Sequence, residues 1–387
     1  MKKSILLLAV AATTIFASCS SDDDGGNNGN NDNGENQNTF VVDPTNFQGD
    51  INDGTITLDA NEVYDLTGAL VVNEGAKLII PAGTRIEASG GTASYIAVAQ
   101  GAQIDVLGTA SNPVVMTSAS NTPLPGDWGG LVICGNAPTN KGGSNGETAT
   151  SEVADLTYGG SNVNDNSGII EYLRVEYTGA TFNGSKEFNG VSLFAVGAGT
   201  VFQYVQSYNG GDDGIEFFGG TVDGKYLVST ASGDDSIDFA DGWSGTGEYW
   251  YINEVTKAGI EGSNNGDNGN ATPGTNVTLK NISIVKGSAT GSEGALYIKE
   301  GGGLWNAENI HISGFDLGIK IKSDDTAANA NVDSGNITFN KIQFSPSVTT
   351  KTQYEGTNTD YLNEQDNAGA GKSAEVPLWT AGWTTGL

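Results

Sequence analysis

The sequence has very few of the residues that crosslink a fold or build a soft-metal site. Its 387 residues include two cysteines, Cys19 and Cys134, and a single histidine, His311. This scarcity excludes a disulfide-rich scaffold and a zinc centre made of cysteine and histidine clusters. Stability must therefore come from side-chain packing and backbone pairing.

Basic residues are also scarce. The chain has 17 lysines and arginines against 46 aspartates and glutamates, which gives a formal net charge of −29 at pH 7. Such a charge repels phosphate backbones, so nucleic acid is not expected as a partner. The excess of carboxylates attracts divalent cations instead.

The apolar run at the N-terminus is too short to span a bilayer, which takes about 20 apolar residues. The run covers residues 5–16, follows two lysines and ends at Phe-Ala-Ser-Cys. This arrangement predicts a secretory signal peptide over residues 1–18. The four-residue ending resembles a lipobox, although phenylalanine stands where leucine is common. The resemblance implies that Cys19 carries a lipid that anchors the protein to a membrane.

A polar segment follows the signal peptide. Residues 20–39 contain no apolar side chain, so they cannot bury enough surface to offset their ordering entropy. Together with Cys19 they predict a flexible tether over residues 19–39. Residues 20–24, Ser-Ser-Asp-Asp-Asp, resemble the acidic export signal of Bacteroidota surface lipoproteins, which implies an outer-membrane location facing the cell exterior. An ordinary acidic linker is the alternative.

Glycine is abundant, with 57 residues, and it marks an internal repeat. Similar segments begin at positions 190, 214, 236, 259, 294 and 318, and most steps are close to 23 residues. The one long step contains a Gly/Asn-rich insertion over residues 263–274. Segments that alternate apolar and polar residues, such as 201–205 and 225–228, lie between the repeats. Several strands per period predict a parallel β-solenoid of roughly a dozen coils.

The first half of the chain shows the same succession of short strands, and residues 126–130 read Gly-Asp-Trp-Gly-Gly. The sequence resembles the right-handed parallel β-helix proteins of the pectin-lyase-like class. In particular it is similar to the Gly-Asp-Trp-Gly-Gly-containing lipoproteins of Bacteroidota, most of which are uncharacterised. The resemblance implies an all-β, right-handed parallel β-helix.

We place the β-helix at residues 40–345 and a C-terminal tail at residues 346–387. Residues 140–189 fit the period poorly and predict loops that protrude from one side. The tail holds Trp379 and Trp383. Because an open solenoid end exposes a strand edge, we expect these tryptophans to cap the last coil, and a sugar-binding role is the alternative.

Two neighbouring coils match residue for residue at a step of 22: residues 211–217 read Gly-Asp-Asp-Gly-Ile-Glu-Phe, and residues 233–239 read Gly-Asp-Asp-Ser-Ile-Asp-Phe. In a stack of coils, equivalent positions lie above one another. Because side chains alternate between the two faces of a strand, the apolar residues of these segments should point inward and the acids outward. The predicted outward column contains, in order, Ser192, Glu216, Asp238, Glu261, Leu296 and Lys320. Two pairs of turn aspartates flank the column.

Three interpretations of these acids remain open. The first is turn chemistry with solvated side chains. The second is one or more Ca²⁺ sites, because hard oxygen ligands cluster here. The candidate ligands are Asp212, Asp213, Glu216, Asp234, Asp235, Asp238, Asp241 and Glu261.

The third interpretation is catalysis on a polysaccharide. Gly-Asp-Asp on adjacent coils resembles the polygalacturonase-type glycoside hydrolases, which implies that Asp213, Asp235 and Asp238 supply the acid and the base. The Gly-His-Gly coil of that family is missing, because the corresponding residues 257–259 read Lys-Ala-Gly. His311 lies in an ordinary alternating strand.

The leading hypothesis is a surface-exposed outer-membrane lipoprotein that binds an extracellular glycan or a partner protein through one face of its β-helix, without catalysis. One alternative is a polysaccharide hydrolase or lyase that uses the acidic cluster over residues 212–241. The other is a structural subunit of an outer-membrane assembly.

Overall fold

The structure, a computed structural model, describes residues 40–142, 147–289, 293–371 and 373–387. The predicted signal peptide over residues 1–18, the lipidated Cys19 and the predicted tether over residues 19–39 lie outside the described residues. Within the described part of the chain, no helix has both the length and the apolar character needed to cross a bilayer.

The described chain is almost entirely made of short strands. Two 3₁₀ turns, Gly91–Ala93 and Leu378–Thr380, and one α-helix, α1 (Thr326–Asp333), interrupt them. In chain order the strands are β1 (Gly49–Ile51), β2 (Thr55–Thr57), β3 (Val63–Leu66), β4 (Ala69–Val72), β5 (Lys77–Pro81), β6 (Arg85–Ala88), β7 (Tyr95–Val98), β8 (Gln103–Leu107), β9 (Val114–Ser118), β10 (Leu131–Cys134), β11 (Ala149–Thr150), β12 (Thr157–Tyr158), β13 (Gly168–Glu176), β14 (Thr181–Asn183), β15 (Lys186–Glu187), β16 (Val191–Phe194), β17 (Val201–Tyr208), β18 (Ile215–Phe218), β19 (Gly224–Thr230), β20 (Ile237–Ala240), β21 (Thr246–Asn253), β22 (Ala258–Gly262), β23 (Asn276–Val285), β24 (Gly294–Ile298), β25 (Leu304–Ser313), β26 (Leu317–Ile321), β27 (Ile337–Phe344), β28 (Thr350–Gln353) and β29 (Leu362–Glu364).

The strands stack into two long parallel sheets. The first sheet has 11 strands in the order β1-β4-β7-β10-β16-β18-β20-β22-β24-β26-β28, and the second has 14 strands. Each coil thus contributes one strand to the first sheet and one long strand, or two short ones, to the second. The predicted right-handed parallel β-helix is confirmed.

Long strands of the second sheet bend at a residue in the left-handed conformation. In β13, Tyr172 has a φ of 51° and separates a half that pairs with β8 from a half that pairs with β9. The stacked positions in later coils also have positive φ, and they are Tyr204, Tyr226, Tyr249, Asn281, Asn309 and Lys341. One recurring backbone kink therefore forms a corner of each coil.

The alternation of apolar residues places the core inside the coils. Ile215 and Phe217 of β18 stack on Ile237 and Phe239 of β20, and all four are fully buried. Because side chains in a strand alternate between faces, the residues between them point away from the core. The predicted inward and outward faces of these coils are therefore correct.

The predicted repeat is one residue out of register at one coil. Ile260 pairs with Leu296, and Glu261 pairs with Tyr297. Leu296 therefore points into the core, and Tyr297 takes the outward position predicted for Leu296. The alignment failed because the residue in register with Gly259 is Ala295, so the glycine at position 294 lies one residue too early.

Residues 140–189 are not only loops. They contain β13, which continues the second sheet, and two short antiparallel pairs, β11–β12 and β14–β15. The residues around these pairs pack on the outer face of the first sheet, where they bury Cys134, Phe194 and Phe218. The loop prediction missed β13 because the insertions around it break the repeat period.

The C-terminal tail first extends the β-helix and then turns back along its side. β28 and β29 pair with β26 and β27, so parallel pairing continues beyond residue 345. Trp383 is fully buried against the edges of Tyr172 and Tyr204, with ring centroids 6.0 Å apart in both contacts. The expected cap is wrong for these tryptophans, because they pack on the lateral face of the second sheet and not over the last coil.

Candidate functional site

The predicted carboxylate column exists on the outer face of the first sheet. Glu216 in β18 is in register with Asp238 in β20, which is in register with Glu261 in β22. We call these three coils the first, second and third acidic coil. Ser192 precedes the column, as predicted.

The three carboxylates of the column are buried, although they point away from the core. Glu216, Asp238 and Glu261 are 8%, 9% and 3% exposed. The Asn189 side-chain amide donates a 2.6 Å hydrogen bond to Glu216, and Lys299 pairs with Glu261. Of the three open interpretations, the one in which these acids are solvated is therefore wrong for the column, because neighbouring side chains cover the outer face.

The turn aspartates connect successive coils. Asp213 Oδ1 accepts a 2.8 Å hydrogen bond from the backbone N–H of Asp235. Asp235 Oδ1 accepts the equivalent 2.7 Å bond from the backbone N–H of Ala258, one coil further along. These bonds satisfy buried backbone donors, so turn chemistry accounts for one oxygen of each carboxylate and leaves the other available.

Lysines neutralise only one end of the acidic stack. Lys257 lies 2.7 Å from Asp234 Oδ1 and 4.0 Å from Asp235 Oδ2. Among the described residues, no lysine or arginine comes within 4.0 Å of the carboxylates of Asp212, Asp213, Glu216 or Asp238. The first acidic coil thus has no basic partner.

Carboxylate oxygens converge in two overlapping groups, and within each group one oxygen per residue lies within 4.8 Å of the others. The inner group is Asp213, Glu216 and Asp238, all buried. The outer group is Asp212, Asp213 and Asp234, of which Asp212 and Asp234 are partly exposed. Asp213 belongs to both groups, and Asp238 Oδ1 is buried without a hydrogen-bond partner.

The cluster disfavours ionised carboxylates in the absence of a cation. Burial, followed by the neighbouring carboxylates, raises the pKa of Asp213, Glu216 and Asp238 well above the ordinary range. The same causes raise the pKa of Asp212 to about 7 and that of Asp235 to about 9. Near neutral pH such a cluster retains protons unless a cation replaces them.

Three of the predicted ligands, Asp235, Asp241 and Glu261, lie outside both groups. Asp241 follows β20 at a left-handed corner with a φ of 55°, and its Oδ1 accepts a 3.3 Å hydrogen bond from Asn265. Burial raises the pKa of Asp241 to about 6. Glu261 is neutralised by Lys299. Asp235 accepts the hydrogen bond from the Ala258 backbone through Oδ1, and its Oδ2 lies 4.0 Å from Lys257 Nζ.

Asn189 and Lys299 also belong to this face, and neither was predicted from the sequence. Since Val191 is in register with Ile215, Asn189 occupies the position of Asp213 one coil earlier, and the repeat alignment alone identifies it. Lys299 follows a strand whose alignment was shifted by one residue. No repeat signal points to Lys299, since the stacked residue before it is Ser263.

Cys134 and His311 are unsuited to chemistry. Burial raises the pKa of the Cys134 thiol to about 12, which leaves it protonated and inert as a nucleophile. His311 is buried, and its Nδ1 lies 3.3 Å from Gln343 Oε1. Burial lowers the pKa of His311.

Comparison with known families adds one finding. A family model described as a pectate-lyase-like β-helix domain matches residues 49–384, which is nearly the whole described chain. No curated protein and no solved structure matches the chain significantly.

Proposed function

Because the chain belongs to the family of pectate-lyase-like β-helix domains, we propose a binding function for the outer face of its first sheet. The inner group of Asp213, Glu216 and Asp238 holds a divalent cation, with Ca²⁺ as the best fit to all-oxygen ligands. The cation-loaded face binds an extracellular glycan or a partner protein without catalysis.

The observation that supports this proposal is the convergence of carboxylate oxygens from three buried acids, one of which, Asp238, has an Oδ1 without a hydrogen-bond partner. Burying like charges together is strongly unfavourable unless an opposite charge accompanies them. Ca²⁺ takes six to eight oxygen ligands, so three carboxylates leave coordination positions for further oxygen atoms.

Burial of the inner group favours binding over hydrolysis. Its three residues are buried, and one carboxylate oxygen of each lies within 4.8 Å of the others. Hydrolysis needs a sugar and a water molecule between an acid and a base, and this arrangement suits a shared ion better.

We further propose that this binding occurs at the cell surface, on a lipoprotein anchored in the outer membrane through Cys19. The lipobox-like segment and the acidic residues after it support this location. A Cys19→Ala variant is expected to leave the membrane fraction, and the intact protein is expected to be cleaved by protease added to whole cells. Membrane retention of the variant would contradict the anchor.

Calcium titration of the full chain tests the proposed cation. We expect heat of binding on addition of CaCl₂ and a melting temperature that falls when EDTA is added. Saturation at about 100 times Kd adds about 2.7 kcal/mol to the free energy of unfolding. Glu216→Gln should reduce both effects, whereas Asp324→Asn, which removes an exposed acid, should not. Identical melting curves with and without EDTA would refute the proposal.

One observation favours a second function, a polysaccharide hydrolase or lyase. A carboxyl that retains a proton near neutral pH can act as a general acid, and the pKa values of Asp212 and Asp235 are raised to about 7 and about 9. A panel of acidic polysaccharides distinguishes the two functions. Release of reducing ends or unsaturated products that is lost in Asp213→Asn or Asp235→Asn would replace the binding proposal with an enzyme.

A further inference from the structure

We propose that His311 is a pH-sensitive latch for the C-terminal tail. While its imidazole is neutral, residues 368–371 of the tail lie against the second sheet, and protonation of the imidazole releases them. This inference is independent of the proposed function, because it concerns the lateral face of the second sheet and not the acidic face of the first sheet.

The tail lies on three polar side chains that stack in successive coils. Ser283 of β23, His311 of β25 and Gln343 of β27 are in register. Backbone N–H groups of the tail bond to both ends of this column. Ala368 donates to Gln343 Oε1 over 3.2 Å, and Ala370 donates to Ser283 Oγ over 2.9 Å. The docked tail therefore crosses the column with His311 at its centre.

Gly369 passes directly over the histidine. A Cβ atom on Gly369 would lie 2.9 Å from His311 Cβ and 2.4 Å from Ser283 Oγ. Gly369 also exchanges two hydrogen bonds with the side chain of Asn309, each 3.2 Å long. His311 is only 3% exposed, although it occupies an outward position of its strand. The tail is therefore what covers the imidazole.

The hydrogen bonds of the ring match a neutral imidazole. Because Gln343 Oε1 accepts from the backbone N–H of Ala368, the amide oxygen and not the amide nitrogen lies 3.3 Å from His311 Nδ1. Nδ1 therefore carries a proton. The other ring nitrogen, Nε2, is buried without a hydrogen-bond partner. One protonated and one bare nitrogen is the neutral form of histidine.

Protonation of Nε2 would create a positive charge that nothing balances. Uncharged side chains face the ring: Ser283, Gln343 and Ser373, whose backbone oxygen accepts a 2.7 Å hydrogen bond from Ser283. The described charged residues in or next to β23, β25, β27 and the crossing part of the tail are Lys280, Lys286, Glu308, Lys341, Asp366 and Glu375. No carboxylate of the described chain forms an ion pair with the imidazole. A buried charge without a partner is strongly unfavourable, so the protonated ring favours the released tail.

The direction of the effect follows from burial. An exposed histidine has a pKa of about 6.5, and burial lowers the pKa of His311. The latch is therefore closed above about pH 6.5, and between the two pKa values release becomes about tenfold more favourable for each unit by which the pH falls. Release also removes a partner of Trp379, whose indole N–H donates to the backbone oxygen of Ala370 over 3.3 Å.

Titration by NMR tests whether the tail controls the histidine. His311 is the single histidine of the sequence, so the imidazole signal of the untagged full chain identifies itself. We expect a titration midpoint below about 6.5 in the wild type and a return to about 6.5 in Gly369→Ala, whose Cβ atom the docked tail cannot accommodate. Gly371→Ala is the matched control, because its nearest contact is 3.4 Å away at Pro377, and it should titrate as the wild type does. Equal midpoints for Gly369→Ala and the wild type would overturn the latch.

Hydrogen exchange tests the release itself. The backbone N–H groups of Ala368, Gly369 and Ala370 should lose protection in the wild type when the pH falls from about 7.5 to about 5, after correction for intrinsic exchange. His311→Gln cannot become charged and still offers a donor to Gln343, so its tail should stay protected. It also leaves the carboxylates of the acidic face unchanged. Loss of protection in both proteins, or in neither, would overturn the latch. Because Gly369→Ala retains the histidine, the titration decides the matter even if His311→Gln does not fold.

Discussion

At the scale of single residues, the acidic face links proton binding to stability. Asp212 and Asp235 have their pKa raised to about 7 and about 9, first by burial and then by neighbouring carboxylates. An unfolded aspartate releases its proton near pH 3.9. Between these values the folded chain therefore holds protons that the unfolded chain has lost, which makes the folded state more stable at lower pH.

The cation-free protein is accordingly expected to lose stability as pH rises from about 4 to about 9. For each group that is protonated only in the folded state, the free energy of unfolding falls by about 1.4 kcal/mol for every unit by which the pH rises. Urea unfolding in EDTA at a series of pH values measures this slope. Saturating Ca²⁺ should flatten it, because the ion binds the deprotonated carboxylates. A flat profile in EDTA would contradict the buried cluster.

Glycine at the start of the repeat at position 214 has a steric reason. A Cβ on Gly214 would lie 2.4 Å from the backbone oxygen of Ser236 and 2.5 Å from Ser229 Oγ. We expect Gly214→Ala to destabilise the fold by about 1–3 kcal/mol, since the next coil cannot move away. Gly274→Ala is the control, because its nearest contact is 3.8 Å away. Equal midpoints of urea unfolding for the two variants would show that the backbone around Gly214 can move enough to accommodate a Cβ atom.

At the scale of the elements, four tyrosines at the backbone kink of the second sheet combine an unfavourable backbone conformation with favourable ring stacking. Tyr172, Tyr204, Tyr226 and Tyr249 stack with nearly parallel rings whose centroids are 4.3–5.0 Å apart. Each adopts a left-handed backbone that is uncommon for residues other than glycine and asparagine. Asn281 and Asn309 continue the same column, so both residue types fit this corner.

Replacement of one ring should reveal the two contributions. Tyr204→Ala loses the stacking and keeps the unfavourable backbone, and we expect a loss of about 2–4 kcal/mol. Tyr204→Asn loses the same stacking but tolerates the backbone, so it should be the less damaging change. Chemical denaturation of both variants measures the difference. If alanine proved equal to or better than asparagine, the backbone contribution would be negligible.

The periodicity of the sequence was sufficient to predict the strands of the acidic coils and which face their residues occupy. Alternation places Ile215 inside and Glu216 outside, and both predictions are correct. It cannot tell what covers an outward side chain, because that depends on distant residues such as Asn189 and Lys299. The burial of the acidic face was therefore not predictable. The one-residue shift at Ala295 was equally hidden, since the long insertion removed the spacing that fixes register.

At the scale of the whole molecule, the C-terminal tail ties many coils together. Gly369 bonds to Asn309, Ser373 accepts a hydrogen bond from Ser283, and Thr385 bonds to Gln206. The tail thus crosses the second sheet from β25 back to β17. Repeats in a solenoid otherwise contact only their neighbours, so such arrays can unfold in parts. A strap across several coils opposes partial unfolding.

Deletion of residues 374–387 should therefore weaken cooperativity as well as stability. The deletion removes Trp379 and Trp383 and uncovers the edges of Tyr172, Tyr204 and Tyr226. We expect a broader urea transition with a smaller slope, and faster hydrogen exchange in β13, β17 and β19 than in β5 and β8, which the tail does not contact through these rings. Trp383→Ala keeps the backbone of the C-terminal tail. It should lower the urea concentration at the midpoint of unfolding, as the deletion does, but should broaden the transition only slightly. A deletion variant that unfolds in one transition of unchanged slope would mean that the coils cooperate through the sheets alone. The tail would then only shield these tyrosine rings from solvent.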